Sequence, residues 1–501
     1  MGSLPTDMDT SSNSSDFRFE CPQVDDSEYV EAYETGGLPP VHLGDRYDND
    51  RYRIVHKIGF GDNSVLWLAR DAVLSSWVAL KIVRADKSYK IERDMVGCHN
   101  MLFRFNDPHF ITYRRYFHID GPNGRHLCLV LPFCGPNLDS MDRLHPRWAR
   151  CYSIRAASLL SILHRHNICH GSIRPRNILI HINNLDHLDD DGIYHLLGKP
   201  VIDRVRTIDG SIPGPETPRY IVGSIDFLSS RERIIYPDLR IIGFEETFSL
   251  FYIPMCMDQP GFLPPEVAIG RRPTPASDIW ALGVTILNLR SGRIPFNEDG
   301  HGGPSDLINM VEKYLGEIPE SWSEPLYDEY DGRPTWNMGH SWQRATLDTC
   351  SSSSLKQWIS DIQDKPKDLD ENENSPDVVS YEDDTHVQSG DWLESDIAAV
   401  VNVVDPVYGW DHHKEERPYP EHHSDWFWKP SAIKINGESL HKTKNPDAMM
   451  ALFPKISPRE VDLLYDLVTK TSKYEPRERI GACDIVACDI VRHPWFGLRI
   501  V

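Results

Sequence analysis

Within HGSIRPRNILI, residues 170–180, His170, Ser172, Arg174 and Asn177 put an imidazole, a hydroxyl, a fixed cation and an amide into one short stretch. Upstream, GFGD places Gly59 and Gly61 two apart. Residues without side chains let backbone amides close over a phosphate. The glycine turn therefore suits a phosphate-bearing ligand, while the later loop offers cationic, amide and hydroxyl groups but no carboxylate. A second group, His412, His413, His422 and His423 in DHHKEERPYPEHHSDW, invites a metal. Adjacent histidines point different ways, no cysteine is near, and the spacing matches no zinc pattern, so an exposed loop is expected there.

Elements must position these residues. RYRIVHKI and SVLWLARDA flank the glycine turn as strand-like segments, and WVALKIV follows as a third. PRWARCYSIRAASLLSILHRHN repeats apolar residues every three to four positions, starts at a proline where the missing N–H is harmless, and delivers the chain into His170. ASDIWALGVTILNLRSG reads as an apolar helix closed by Gly292, and REVDLLYDLVTKTSKYEPRERI as an amphipathic helix running into RHPWF. A strand-rich part followed by a larger helical part predicts an α+β protein of two lobes. Residues 1 to about 30, rich in Ser, Asp, Asn and Thr, predict a disordered tail. Insertions are expected at about 183–238, which carries its own helix-like piece, and 336–440, which is acidic and irregular. In the second, Trp426 to Trp428 are expected to pin the insertion to the large lobe, and the run from Asp361 to Asp377 to be solvated.

At 501 residues and 40 % apolar composition the chain can bury a sizeable core. A formal charge of −22 argues against nucleic acid or an anionic membrane as main partner, since both reward a positive surface. The ten cysteines are scattered without a Cys-x-x-Cys pair and read as reduced, mostly core thiols. With no run of about eighteen apolar residues and no signal-like N-terminus, the expectation is a soluble intracellular protein.

GFGDNSV, VALK, HGSIRPRN, PPE, DIWALG and the late arginine of EPRERIGA occur in the order of the eukaryotic protein kinases, over about residues 51–496. Within them the chain resembles the SR-protein-specific serine/threonine kinases in their fungal branch, through ETGGLPPVHLGD, WLARD and the long insertion before the second metal motif. The resemblance implies a bilobal protein-kinase fold with two insertions: a tail and lead-in at 1–40, a small lobe at 41–133, a large lobe at 134–496 and a C-terminal end at 497–501. It implies that Ile58, Gly59, Gly61, Val65, Ala79 and Lys81 hold ATP, with Glu92 or Asp94 as the carboxylate partner of Lys81 and Pro132 to Cys134 as the strand end meeting the adenine edge. It makes His170 a structural histidine, Asn177 a metal-binding amide, Glu266 and Arg479 a buried ion pair, and Asp278 an anchor of the catalytic loop.

Two positions depart from the family pattern. The catalytic aspartate is Ser172, beside Arg174 in place of the lysine, and the metal-binding aspartate of the second motif is Gly243 in GFEE, where Glu245 is the nearest substitute. Hard magnesium needs an anionic oxygen at a fixed place, and glycine offers none. The expectation is therefore a pseudokinase that holds ATP without productive magnesium chemistry and acts as a binding or regulatory module. The alternative is a slow serine/threonine kinase. Expected partners are proteins, Arg/Ser-rich segments among them, with no nucleic acid or membrane, in cytoplasm or nucleus.

Overall fold

The computed structural model describes residues 17–24, 26–103, 107–140, 143–144, 146–227, 235–244, 260–269, 271, 273–296, 304–316, 318–319, 322, 354–364, 427–428, 434–435, 438–439, 453–486 and 488. The small lobe is an antiparallel sheet built from β1 (Arg46–Tyr47), β2 (Tyr52–Gly61), β3 (Ser64–Asp71), β4 (Ser76–Val83), β5 (Arg115–Gly121) and β6 (Gly124–Pro132), in the order β1-β2-β3-β4-β6-β5. Gly61 pairs with Ser64 across a two-residue turn, the tight hairpin that the glycine stretch predicts. Side chains alternate faces along each strand. Leu66, Ala79 and Lys81 turn to a cleft, while Val65, Trp67, Val78, Leu80 and Ile82 face outward into a second core.

That outer face is covered. Phe19, Val30, Tyr33, Leu38 and Val41 from the N-terminal segment are buried on it, together with Ile221 and Val222 from β10 (Tyr220–Val222), which pairs with β9 (Ile202–Arg204). The disordered tail predicted to residue 30 and the lead-in to residue 40 therefore differ from the structure over the described residues 17–24 and 26–40. Polar composition misleads here because a few widely spaced apolar side chains are enough to dock a segment on a waiting apolar sheet. The first insertion is likewise built into the lobe. After β8 (Ile178–Ile182) it forms α3 (Asp190–Leu197), Asp190 takes a bidentate pair from Arg53 with both contacts at 2.8 Å, and Asp186 accepts from the Trp77 amide at 2.7 Å.

α1 (Ala85–Phe103) packs beside β6, and the large lobe is centred on α2 (Pro146–Arg165) and α5 (Pro275–Ser291). The start of α5 is fixed by a capping box between Thr274 and Ser277 with Pro275 in the first turn, and its end by Gly292 at φ 67°. After the short helices α4 (Pro265–Ala268), α6 (Pro304–Leu315) and α7 (Leu355–Ser360) comes α8 (Pro458–Thr471). A Cβ at Gly283 would lie 2.2 Å from the Thr471 hydroxyl, so α5 and α8 approach through that glycine. The amphipathic pattern predicted α8 to run further, but it ends at Thr471, and Pro476 opens a separate turn.

In the second insertion the first acidic residues make ion pairs with the large lobe while remaining partly exposed to solvent. Asp361 meets Lys455 at 2.6 Å, and Asp364 joins Glu460 around the buried Arg290 at 2.9 and 2.6 Å. A buried guanidinium requires such partners. β12 (Phe427–Trp428) pairs with β7 (Arg143–Leu144) of the large lobe, joining this part of the insertion to it through the backbone. The four histidines of the DHHKEERPYPEHHSDW stretch, Trp426, the rest of the acidic run and the RHPWF end lie outside the described residues. Among the described residues, no helix is long and apolar enough to cross a membrane.

Candidate functional site

Between the sheet and the helical lobe lies a cavity of about 440 Å³. Ile58, Leu66, Ala79 and, at the end of β6, Leu131 and Pro132 line it from the sheet, Leu179 of β8 from the large lobe, and Cys134 and Gly135 from the connection between them. A Cβ added at Gly59 or Gly61 would meet nothing within 4 Å. The two glycines are thus not demanded by packing within the protein, and they leave backbone bordering an open space. Lys81, opposite Leu66 and Leu129 in the ladder, lines the same cavity. Cys134 also lines it, and burial pushes its thiol up to about 11, so it is no thiolate nucleophile at neutral pH.

The polar loop is held from below by Asp278 of α5. Its buried carboxylate accepts from the amides of His170 at 2.8 Å and Gly171 at 2.7 Å, and meets His164 Nε2 at 3.0 Å. His170 is fully buried: its Nδ1 accepts from the Ser172 amide at 3.1 Å, and its Nε2 meets the Ile242 carbonyl at 2.9 Å. These partners fix the tautomer with the proton on Nε2. The Phe244 ring packs edge-on against it, centroids 4.8 Å apart. The imidazole thus ties the loop to the chain leaving β11 (Ile235–Ile241), which pairs with β8.

Ser172, Asn177 and Gly243 come together. Asn177 Nδ2 donates to the Ser172 carbonyl at 2.8 Å and to its hydroxyl at 3.0 Å. Gly243 adopts φ +89°, and a Cβ there would stand 2.7 Å from the Asn177 amide carbon and nitrogen. Space that a carboxylate-bearing side chain would fill is taken by Asn177. Among the described residues no group of three His, Cys, Asp or Glu side chains is placed to hold a metal ion. Arg174 is buried and lines the cavity. Glu245 lies outside the described residues. Below the loop, Glu266 and Arg479 form the predicted buried pair, with contacts at 2.7 and 2.6 Å, and the Ser277 hydroxyl donates to Glu266 at 2.8 Å.

Two expected positions are corrected. Val65 points into the outer core, and it is Leu66 that faces the cavity. A one-residue slip reverses the face of a strand residue, and counting Gly-x-Gly-x-x-Ser-x-Leu from Gly59 leads to Leu66 directly. Glu92 directs its carboxylate to His118 Nε2 on β5 at 3.0 Å and so belongs to the sheet edge. The Asp94 side chain lies outside the described residues. Sequence reasoning also passed over Arg176, which lines the cavity between Asp62 and Asp139 at 3.8 and 3.9 Å. Its place between Pro175 and Asn177 was the available signal. Asp26, Ile225 and Phe227 line the cavity too, from segments with no motif to mark them.

A profile of the protein kinase domain matches residues 52–201. The serine/threonine-protein kinase SKY1 of Saccharomyces cerevisiae is 31 % identical over 178 residues, 32 % of this chain and 24 % of the relative. The protein kinase dsk1 of Schizosaccharomyces pombe is 30 % identical over 185 residues, 34 % and 32 % of the two chains. The serine/threonine-protein kinase SRPK of Physarum polycephalum is 26 % identical over 324 residues, 59 % and 74 %. The match thus spans a third or less of the length of the two yeast relatives. A solved kinase-domain crystal structure overlays 91 % of this chain with a TM-score of 0.46 and 14 % identity.

Proposed function

From the premise that this chain has the bilobal protein-kinase fold and resembles the SR-protein kinases, we propose that it is a pseudokinase: a nucleotide-holding binding or regulatory module without productive magnesium chemistry. The observation that carries this reading is the Ser172, Asn177 and Gly243 cluster, in which the two positions the family fills with aspartate hold a hydroxyl and a glycine. Loss of a general base alone lowers a rate by roughly 10² to 10⁴. Loss of the metal-bridging carboxylate removes a separate part of phosphoryl transfer, namely neutralisation of the β- and γ-oxygens.

The cavity fits the organic half of the ligand. Ile58, Leu66, Ala79 and Leu179 offer apolar faces to a base, and Gly59 and Gly61 leave room for phosphates near Lys81 and Arg174. It does not fit the metal half, since Gly243 supplies no carboxylate and Asn177, whose Nδ2 is engaged with Ser172, has only a neutral amide oxygen to offer. When bound, magnesium supplies charge neutralisation; here that charge falls to Lys81 and Arg174. Partners on this reading are proteins, and a chain of charge −22 is matched to basic, Arg/Ser-rich segments in cytoplasm or nucleus. We assign the lobes to 41–133 and 134–496, with the docked segment from residue 17 counted in the small lobe.

A thermal-shift titration with ATP, with and without magnesium, tests the reading, since a ligand that binds only the folded state raises its midpoint. The expected result is a shift indifferent to magnesium, with no phosphate transferred to an Arg/Ser-rich peptide. A magnesium-dependent shift accompanied by turnover overturns it in favour of a slow kinase.

A further inference from the structure

Two segments far apart in sequence meet at one end of the cavity. Ser224 donates to the Asp26 carbonyl through its amide at 3.1 Å and its hydroxyl at 2.8 Å. The Ile225 amide donates to the Lys57 carbonyl of β2 at 2.9 Å, so this piece of the first insertion is fastened to the strand that leads into the glycine turn. Lys57 Nζ returns a hydrogen bond to the Val222 carbonyl at 2.8 Å and is paired, fully buried, with the Glu28 carboxylate. The Phe227 ring stacks on Phe133, which follows β6, with centroids 6.1 Å apart and planes at 29°. Ile225 and Phe227 are 7 % and 6 % exposed. Both line the cavity beside Ile58 and Pro132.

We propose that Gly223–Phe227 is a specificity-determining wall of this cleft: Ile225 and Phe227 set how far a bound base extends past Pro132, admitting bare adenine and excluding bases with a bulky substituent on that side. The proposal rests on the nucleotide-holding reading above. The wall is fixed. Moving it strips the Ile225 amide from its acceptor, unstacks Phe227 and unfastens Ser224 from Asp26, and an apolar wall offers an intruding group no hydrogen bond in exchange. Misfit of one group in a closed apolar pocket changes binding by roughly tenfold or more.

The full chain and its Phe227→Ala variant are titrated with ATP and with ATP derivatives bearing a bulky group in turn at C2, N6 and C8 of the base, read by thermal shift. Circular dichroism checks the fold, and Ile225→Ala serves as the second variant should Phe227→Ala fail to fold. Expected is a gain of roughly tenfold or more, relative to ATP, for one derivative in the variant and not for the others. ATP binding only after the substitution overturns both the wall and the nucleotide reading, since the parent cleft then does not admit bare adenine. Unchanged relative affinities across the panel, with ATP bound by both proteins, overturn the wall and leave the nucleotide reading intact. Absence of ATP binding by every protein overturns both.

Discussion

At the residue scale the site turns on Gly243. Its φ of +89° lies in the left-handed region, where a side chain costs on the order of 1–2 kcal/mol, though aspartate tolerates it better than most. The absent Cβ leaves the Asn177 amide room to stand where an aspartate would press on it. Gly243→Asp is therefore expected to lower the melting midpoint slightly, push Asn177 off Ser172, and create a magnesium-dependent increment in the ATP thermal shift that the parent lacks. Catalysis is expected only when Ser172→Asp is added, because the base and the metal ligand serve different steps. If the ATP shift of Gly243→Asp is the same with magnesium and with chelator, Gly243 is not the missing metal position. The motif residues were legible because each chemistry demands a residue type at a spacing. What the sequence hid was direction: Val65 and Leu66 are adjacent and both apolar, and only the strand's period of two separates them, while Glu92 is a surface-compatible acid whose partner depends on the turn of α1.

At the scale of elements, two clusters hold the loop-bearing strands and helices in place. Glu266 and Arg479 are 2 % and 0 % exposed at the side chain, and Arg479 also donates to the Ala276 carbonyl at 2.9 Å. Removing one partner strands a buried charge, so Glu266→Gln is expected to cost roughly 3–5 kcal/mol in chemical denaturation. A loss below about 1 kcal/mol would show that water or another base compensates Arg479. The second cluster joins α2 to β11 just before Gly243: Asp238 meets Arg155 at 2.9 Å, Arg240 at 2.6 Å and His109 at 3.4 Å. Burial works to raise the Asp238 carboxyl, but hydrogen bonding to His109 and the charges of Arg155 and Arg240 outweigh it and hold it well below the usual carboxylate range. A depressed carboxyl contributes stability that is present above its unfolded value of about 3.9 and is lost as pH falls toward the folded one. The stability gap between wild type and Asp238→Asn is therefore expected to be full at pH 7 and to close progressively as pH falls below about 4; a gap independent of pH would mean shape, not charge, is what Asp238 supplies. Helix existence was legible from period and caps. The end of α8 was not, because the amphipathic pattern continues past the point where Pro476 forces a new turn.

At the scale of the whole molecule, the small lobe is a three-layer structure, with the cleft on one side of its sheet and a second core on the other. The signal lay in the strands: SWVALKIV is apolar on both faces, Val78, Leu80 and Ile82 on one and Trp77 and Ala79 on the other, and a strand with two apolar faces needs two covers. Which segments supply the covers was not legible, since Phe19, Val30 and Tyr33 sit in a polar stretch and Ile221 and Val222 in an insertion without a motif. Those covers also border the cleft, through Asp26 and Ile225, so the outer layer joins stability to the site. A chain lacking residues 1–40 uncovers Tyr52, Ile54, Val65, Trp67, Val78 and Leu80 and leaves the buried ammonium of Lys57 without Glu28. Deleting one large buried aromatic typically costs roughly 3–5 kcal/mol, and this truncation removes Phe19 and Tyr33 together. The truncated protein is expected to melt at least about 5 °C lower, at roughly 1–2 °C per kcal/mol for a chain larger than an ordinary domain, and to bind a hydrophobic dye before its transition. Glu28→Gln in the full chain separates the two contributions, because it removes the carboxylate partner of Lys57 while keeping the apolar cover. Melting within about 2 °C of the parent with no dye uptake in the truncated protein would mean that the sheet's outer face tolerates water, and that the N-terminal segment is an ornament to the fold, not one of its layers.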